Sequence, residues 1–196
     1  MMKRHLFKPC SMLLFLFMSG VNSAPAAELE LSLSSESVKA EYIMDSSLIG
    51  SGGADLSASL FYNEDSDLMG NLGLTVSGMP AGQVPFTFGV GARFYGGRVK
   101  QGGDNTVYAL AIGGRGKYTI PANIPMHVGG EIFYAPKVTT WSDGKDLMEL
   151  NLRYEIEFIP QTLAFVGYRL LRTNLEQGGG NPRLDNNVHL GIRLHF

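Results

Sequence analysis

Cysteine is nearly absent from this chain. The only one, Cys10, stands in the first ten of 196 residues. Once a leader is removed, that leaves no disulfide, no zinc–thiolate site and no cysteine nucleophile. A lipid-anchor cysteine would follow an apolar leader core, whereas Cys10 precedes one, so no lipid anchor is expected. Beyond the N-terminus no apolar run reaches the ~18 residues of a membrane-spanning helix. Net charge is also small: 16 Lys and Arg stand against 18 Asp and Glu, a formal −2. There is no basic stripe, which argues against a nucleic-acid partner. G-x-S-x-G and H-E-x-x-H are both missing. The Gly-rich stretches lie inside strand-like segments rather than opening a helix, so they are not phosphate loops. No cofactor and no metal are expected.

The first 26 residues read as an export signal. Lys3, Arg4 and Lys8 precede the apolar "SMLLFLFMSGV", and Ala24 and Ala26 place a cut after Ala26. Residues 27–196 then form one domain with 13 basic and 18 acidic residues, a net of −5.

The dominant pattern in that domain is period 2, the signature of strands with two unlike faces. In "LMELNLRYEIEF", Met148, Leu150, Leu152, Tyr154, Ile156 and Phe158 share one face, and Glu149, Asn151, Arg153, Glu155 and Glu157 the other. "PFTFGVGARFY", "VYALAIGGRGKY", "MHVGGEIFY", "LAFVGYRLL" and the terminal "VHLGIRLHF" behave alike, as do two segments between Ala54 and Val76. Eight long strands follow. Spacers between them alternate between long ("RTNLEQGGGNPRL", "APKVTTWSDGK", "GGRVKQGGDN") and short ("IPQT", "IPANIP", "GMPAGQVP"). The acidic "NEDSD" is a compact tip. This predicts a transmembrane antiparallel up-and-down β-barrel with long extracellular loops and short periplasmic turns. In "LELSLSSESVKAEYIM" the phase breaks near Ser34–Ser37. A short hairpin there, with arms of about six or seven residues, brings the barrel to ten strands. If the segment packs elsewhere, the count is eight.

Alternation alone also fits a soluble sandwich or lipocalin-like barrel. Three features favour the membrane. The polar face is rich in Gly, Ser, Asn and charges of mixed sign. Tyr62, Phe86, Tyr118, Tyr134, Phe158 and Phe196 stand near strand ends, where an interfacial girdle belongs. The last strand ends on Phe196, an aromatic of the kind that barrel-assembly machinery reads.

The polar face is then the lumen. Its charges are Glu41, Asp55, Arg93, Arg115, Lys117, Glu131, Glu149, Arg153, Glu155, Glu157, Arg169, Asp185 and Arg193. Arg93, Arg115, Lys117, Glu131, Glu149, Arg153, Glu155, Arg169 and Arg193 are the candidate network. A barrel of about eight strands is just wide enough for side chains to fill, and charges inside must be paired. A plugged barrel with a structural or interaction role and no enzymatic activity is therefore expected; the alternative is a narrow passive channel, and a lipid-modifying enzyme ranks behind both. The mature histidines, His127, His189 and His195, all face the lumen by parity. Residues i and i+4 on a strand lie about 13 Å apart, so His127 and Glu131 do not share a metal. Trp141, in "TTWSDGK", is read as resting on the rim.

"GEIFYAPKV", "QTLAFVGYRLLRTNLE", "VHLGIRLHF", the opening "LELSLSSESVKAEY" and "YNEDSD" together resemble the YfaZ-type outer membrane protein family. The resemblance covers the whole mature chain, with Tyr134-Ala135-Pro136 and Val166-Gly167-Tyr168-Arg169 its most specific parts. It implies an outer-membrane β-barrel of Gram-negative bacteria with no agreed catalytic or transport role. No functional residue is carried over. The expected partners are outer-membrane lipid and the assembly machinery, with the oligomeric state open.

Overall fold

The structure, a computed structural model, describes residues 26–45, 54–80, 84–101, 103–176 and 181–196. The export signal and all but the last residue of its cleavage motif lie outside them.

The described residues form eleven strands: β1 (Ala27–Ser34), β2 (Ser37–Asp45), β3 (Ala54–Asn63), β4 (Leu68–Gly78), β5 (Phe86–Val99), β6 (Asn105–Ile120), β7 (Met126–Ala135), β8 (Thr140–Ser142), β9 (Gly144–Ile159), β10 (Thr162–Leu175) and β11 (Arg183–His195). All pairings are antiparallel, and β7 pairs directly with β9. β8 is a three-residue flap hydrogen-bonded only to β6. The other ten strands close on themselves through β1 and β11. At that seam the Ala27 and Phe196 amides each donate to the other's carbonyl, both at 2.9 Å.

Ten is therefore the strand number. The first hairpin is no appendage: β1 pairs with β11 and β2 with β3 along their lengths. Its arms have 8 and 9 residues, longer than expected, because alternation continues to Ala27 and Asp45.

The loop asymmetry expected from the spacers is not found. One end of the barrel, here the terminal end, carries Ala27 and His195 and the connections 46–53, 79–85, 121–125 and 160–161. The far end carries 35–36, 64–67, 100–104, 136–143 and 176–182. The two sets have similar lengths. The spacers that looked long are largely strand: β5 runs on to Val99, β6 starts at Asn105, and β10 reaches Leu175. "TWS" forms β8, and Asp143 closes a tight exchange with Thr106, accepting its amide at 2.8 Å and donating back at 3.0 Å. Trp141 pairs with Tyr108 on the outer rim and is exposed, as the sequence reading placed it.

The faces divide by parity. Leu31, Leu33, Leu60, Leu72, Val76, Val90, Ile112, Val188 and Leu190 point outward and are exposed, with Tyr62, Tyr118, Tyr134, Phe158 and Phe196 toward strand ends. Phe86 is half-buried. Charged residues occupy the inside. That is the inverse of a soluble barrel, where apolar side chains fill the interior.

Inward-facing glycines set how closely the wall can coil. Gly91 and Gly113 are register partners on β5 and β6. A Cβ on Gly91 would collide with the Leu74 carbonyl oxygen, and one on Gly113 with that of Ile132. Both obstacles are backbone, which cannot swing aside.

Candidate functional site

The interior is read by following β9 from the far end to the terminal end. Leu147 comes first, then Glu149, Asn151, Arg153 and Glu155, each successive inward position one step deeper.

At the Leu147 level the interior is apolar. Phe61, Met69, Val99, Val107, Ala109, Phe133, Leu171, Leu175 and Leu184 form one buried cluster. An all-polar lumen was expected, so this is a correction. Most inward positions of the long strands above the charged layers carry apolar residues. Over this cluster sits a polar cap built on Asp67, which is fully buried. Its carboxylate accepts from the Lys100 amide (2.6 Å) and from the Asn63 side chain (3.0 Å), while the Asn63 carbonyl accepts the Asp67 amide (2.8 Å).

Beneath the apolar layer lies the first charged layer. Arg93 donates to Glu131 (2.6 Å) and Glu149 (3.1 Å), and Lys39 sits 3.0 Å from Glu41 and 3.2 Å from Glu149. The Tyr95 hydroxyl donates to the same Glu149 oxygen that Arg93 engages. Glu149 is 2% exposed and takes all three donors. The Arg93 guanidinium also stacks 4.0 Å from the Phe133 ring centre, joining this layer to the apolar one. Beside it Arg169, 1% exposed, donates to Asp185 at 2.7 Å and to the Ser32 hydroxyl at 3.2 Å.

The second layer is built on Glu30. One of its carboxylate oxygens accepts from Arg193 (2.6 Å) and Arg153 (2.8 Å). Glu155 lies 3.1 Å from Arg153 and 3.3 Å from Arg193. Arg115 pairs with Asp55 and donates to the Ser77 hydroxyl at 2.8 Å. Beyond these groups the interior opens at the terminal end into a cavity of about 350 Å³.

All nine candidate network residues thus face the interior, but they divide. Arg93, Glu131 and Glu149 share the first layer; Arg153, Glu155 and Arg193 share the second. Arg169 and Arg115 have partners of their own. Lys117 has no ion-pair partner among the described residues. The sequence reading listed Glu41, Asp55 and Asp185, which are partners here, but omitted Lys39, Glu28 and Glu30. Their alternation with Val38, Leu29 and Leu31 is visible in the sequence.

The histidines lie apart. His127 Nδ1 is 3.1 Å from the Thr119 hydroxyl, and His195 Nδ1 is 3.2 Å from Glu28. His189 is 1% exposed, with neither ring nitrogen partnered among the described residues, and packs edge-on against Phe165. Among the described residues no three His, Cys, Asp or Glu side chains gather as a metal site.

Comparison with known proteins gives a strong family match and weak likenesses to solved structures. No curated protein matches the chain. Among solved structures, the outer membrane channel DcaP of Acinetobacter baumannii is similar at TM-score 0.41 and 12% identity, covering 85% of this chain and 54% of its own. This chain therefore spans about half the length of DcaP. The NanC porin is similar at TM-score 0.43 and 13% identity, covering 87% of this chain and 99% of its own. The strong match is to a family profile described as YfaZ precursor, which spans residues 5–196. With nearly the whole sequence matched, the chain belongs to the YfaZ precursor family.

Proposed function

We propose that this protein is a small integral outer-membrane β-barrel, exported through a cleaved leader, whose interior is blocked by its own side chains. Its role is then structural or interactive rather than transport or catalysis. One observation carries this reading. Glu149 on β9 is held simultaneously by Lys39 from β2 and Arg93 from β5, and all three are almost fully buried. β2 and β9 lie four strands apart by the shorter way around the barrel. A salt bridge between them occupies the space a water column would need, and the apolar layer adds a second barrier. Outer-membrane lipid is the natural neighbour of the outer face. The barrel-assembly machinery is the expected partner of β11. Planar-bilayer recording tests the reading: the purified protein should leave the membrane electrically quiet. Steady, discrete openings would refute the blocked interior and favour the narrow channel, for which the cavity at the terminal end is the supporting feature.

The membrane part has a separate test. Leu72 is 64% exposed in the middle of β4. Leu72→Arg should destabilise the barrel in lipid vesicles by about 2–4 kcal/mol, the cost of an Arg near the bilayer midplane. Urea titration of protein folded in vesicles measures it. A soluble barrel would accept the same change within about 0.5 kcal/mol.

A further inference from the structure

The terminal-end cavity has one feature the blocked-barrel reading leaves unused. Lys117 on β6 and Glu155 on β9 both line the 350 Å³ cavity and the adjoining one of about 310 Å³. Lys117 is exposed there and has no ion-pair partner among the described residues. Glu155 is 2% exposed. One of its carboxylate oxygens takes Arg153 and Arg193, and the other, Oε2, has no hydrogen-bond partner among the described residues. A buried carboxylate oxygen left unpaired is costly, so it marks a position for a donor.

The two groups do not reach each other, and the register explains why. Lys117 is opposite Gly129 on β7, and Gly129 is opposite Arg153 on β9. Arg153 is thus the residue across from Lys117, and Glu155 lies two residues nearer the terminal end, across from His127, so Lys117 and Glu155 stand two strands and two residues apart, about 12 Å at the backbone. A Cβ built on Gly129 meets only the β6 backbone and the base of Lys117. The cavity therefore holds an unpaired ammonium on one wall and, on another, a buried carboxylate whose Oε2 has no hydrogen-bond partner among the described residues, with His127 lining the space beside them. Elsewhere in the cavity, Arg115 is matched by Asp55, and Arg153 and Arg193 by Glu30 and Glu155. Glu28 and Asp45 also line the cavity, so its wall carries both signs of charge, and a ligand carrying both charges meets Lys117 and Glu155 Oε2 together.

We propose that this vestibule binds a small zwitterion of amino-acid size, its carboxylate on Lys117 and its ammonium on Glu155 Oε2. The volume suits such a molecule, being at the small end of ligand pockets. The site is independent of whether the interior beyond it conducts.

The test uses the full mature chain folded in detergent micelles and titrated calorimetrically with L-alanine, β-alanine and γ-aminobutyrate. Acetate and methylammonium serve as single-charge controls. At least one zwitterion should bind saturably, with both controls about tenfold weaker or worse, since each lost charge-assisted contact is worth about that factor. Lys117→Met and Lys117→Gln should each weaken the bound zwitterion by about tenfold. Neither breaks an ion pair, so both should keep the faster gel mobility of the unboiled, folded barrel. Glu155→Gln should weaken it similarly. Three results overturn the proposal: no zwitterion binds, acetate binds as tightly as the zwitterions, or the Lys117 variants bind like wild type. The single-charge controls on the wild-type protein decide the matter even if a variant fails to fold.

Discussion

Glu149→Ala is expected to destabilise the folded barrel by about 3–5 kcal/mol, the cost of removing one partner from a buried charge cluster. The size of the loss comes from what is stranded. Lys39 keeps only Glu41, and Arg93 keeps Glu131 with a longer approach to Glu41 at 3.9 Å. The Tyr95 hydroxyl loses the acceptor it donates to. Two cations would then share two acids in a space closed to water on the far side by Phe133, Leu147 and Leu171. Urea unfolding in vesicles gives the number. A second substitution separates stranded charge from lost packing. Lys39→Met should cost less in the Glu149→Ala background than in the wild type, because the Lys39–Glu149 pair is already lost there, giving a coupling of more than about 1 kcal/mol. Independent, additive effects would show that Glu149 acts through packing alone. The same variant bears on the closed lumen: with the bridge between β2 and β9 gone, brief conductance events should appear where the wild type is silent.

The division between what could be read from sequence and what could not has physical causes. Parity was legible because each strand has an apolar outside and a different inside, and a pleated strand cannot mix them. Every candidate network residue was placed on the inner face by that rule. Partnership was not legible. Lys39–Glu149 and Arg193–Glu30 join residues 110 and 163 positions apart, and their heights match only through the tilt and stagger of the closed barrel. The strand ends were misplaced for another reason. Loops were inferred where the polar–apolar contrast faded, as in "GGRVK" and "NTV". There the inward residues Val99 and Val107 are themselves apolar, filling the far-end layer. Contrast between faces marks the zone where inside and outside meet different environments; it does not mark the limits of the ladder. The ten-strand count survived because a parity argument needs only that strands come in hairpins.

The other large effect should come from a single methyl group. Gly113→Ala is expected to abolish the compact, fast-migrating form of the protein on unheated gels. Gly113 faces inward on β6, between its register partners Gly91 on β5 and Phe133 on β7. The added Cβ would run into the Ile132 carbonyl oxygen and come within 2.7 Å of the Phe133 Cα and ring. Neither obstacle can yield locally. The carbonyl belongs to the ladder with β6, and the Phe133 ring is pinned beneath the Arg93 guanidinium, itself tied to Glu131 and Glu149. Relief requires the strands to separate, which breaks ladder hydrogen bonds that lipid cannot replace. Overpacking in soluble cores typically costs about 1–3 kcal/mol, where side chains can shift; here the obstacle is backbone and the cost should exceed that range. Gly78→Ala is the control. It makes the same chemical change on the same sheet, at the end of β4, where an added Cβ meets nothing within 4 Å. The control should fold like wild type, so a difference between the two variants isolates crowding from any general preference for glycine. Equal folding of both would show that the wall of the barrel is looser at Gly113 than its register requires.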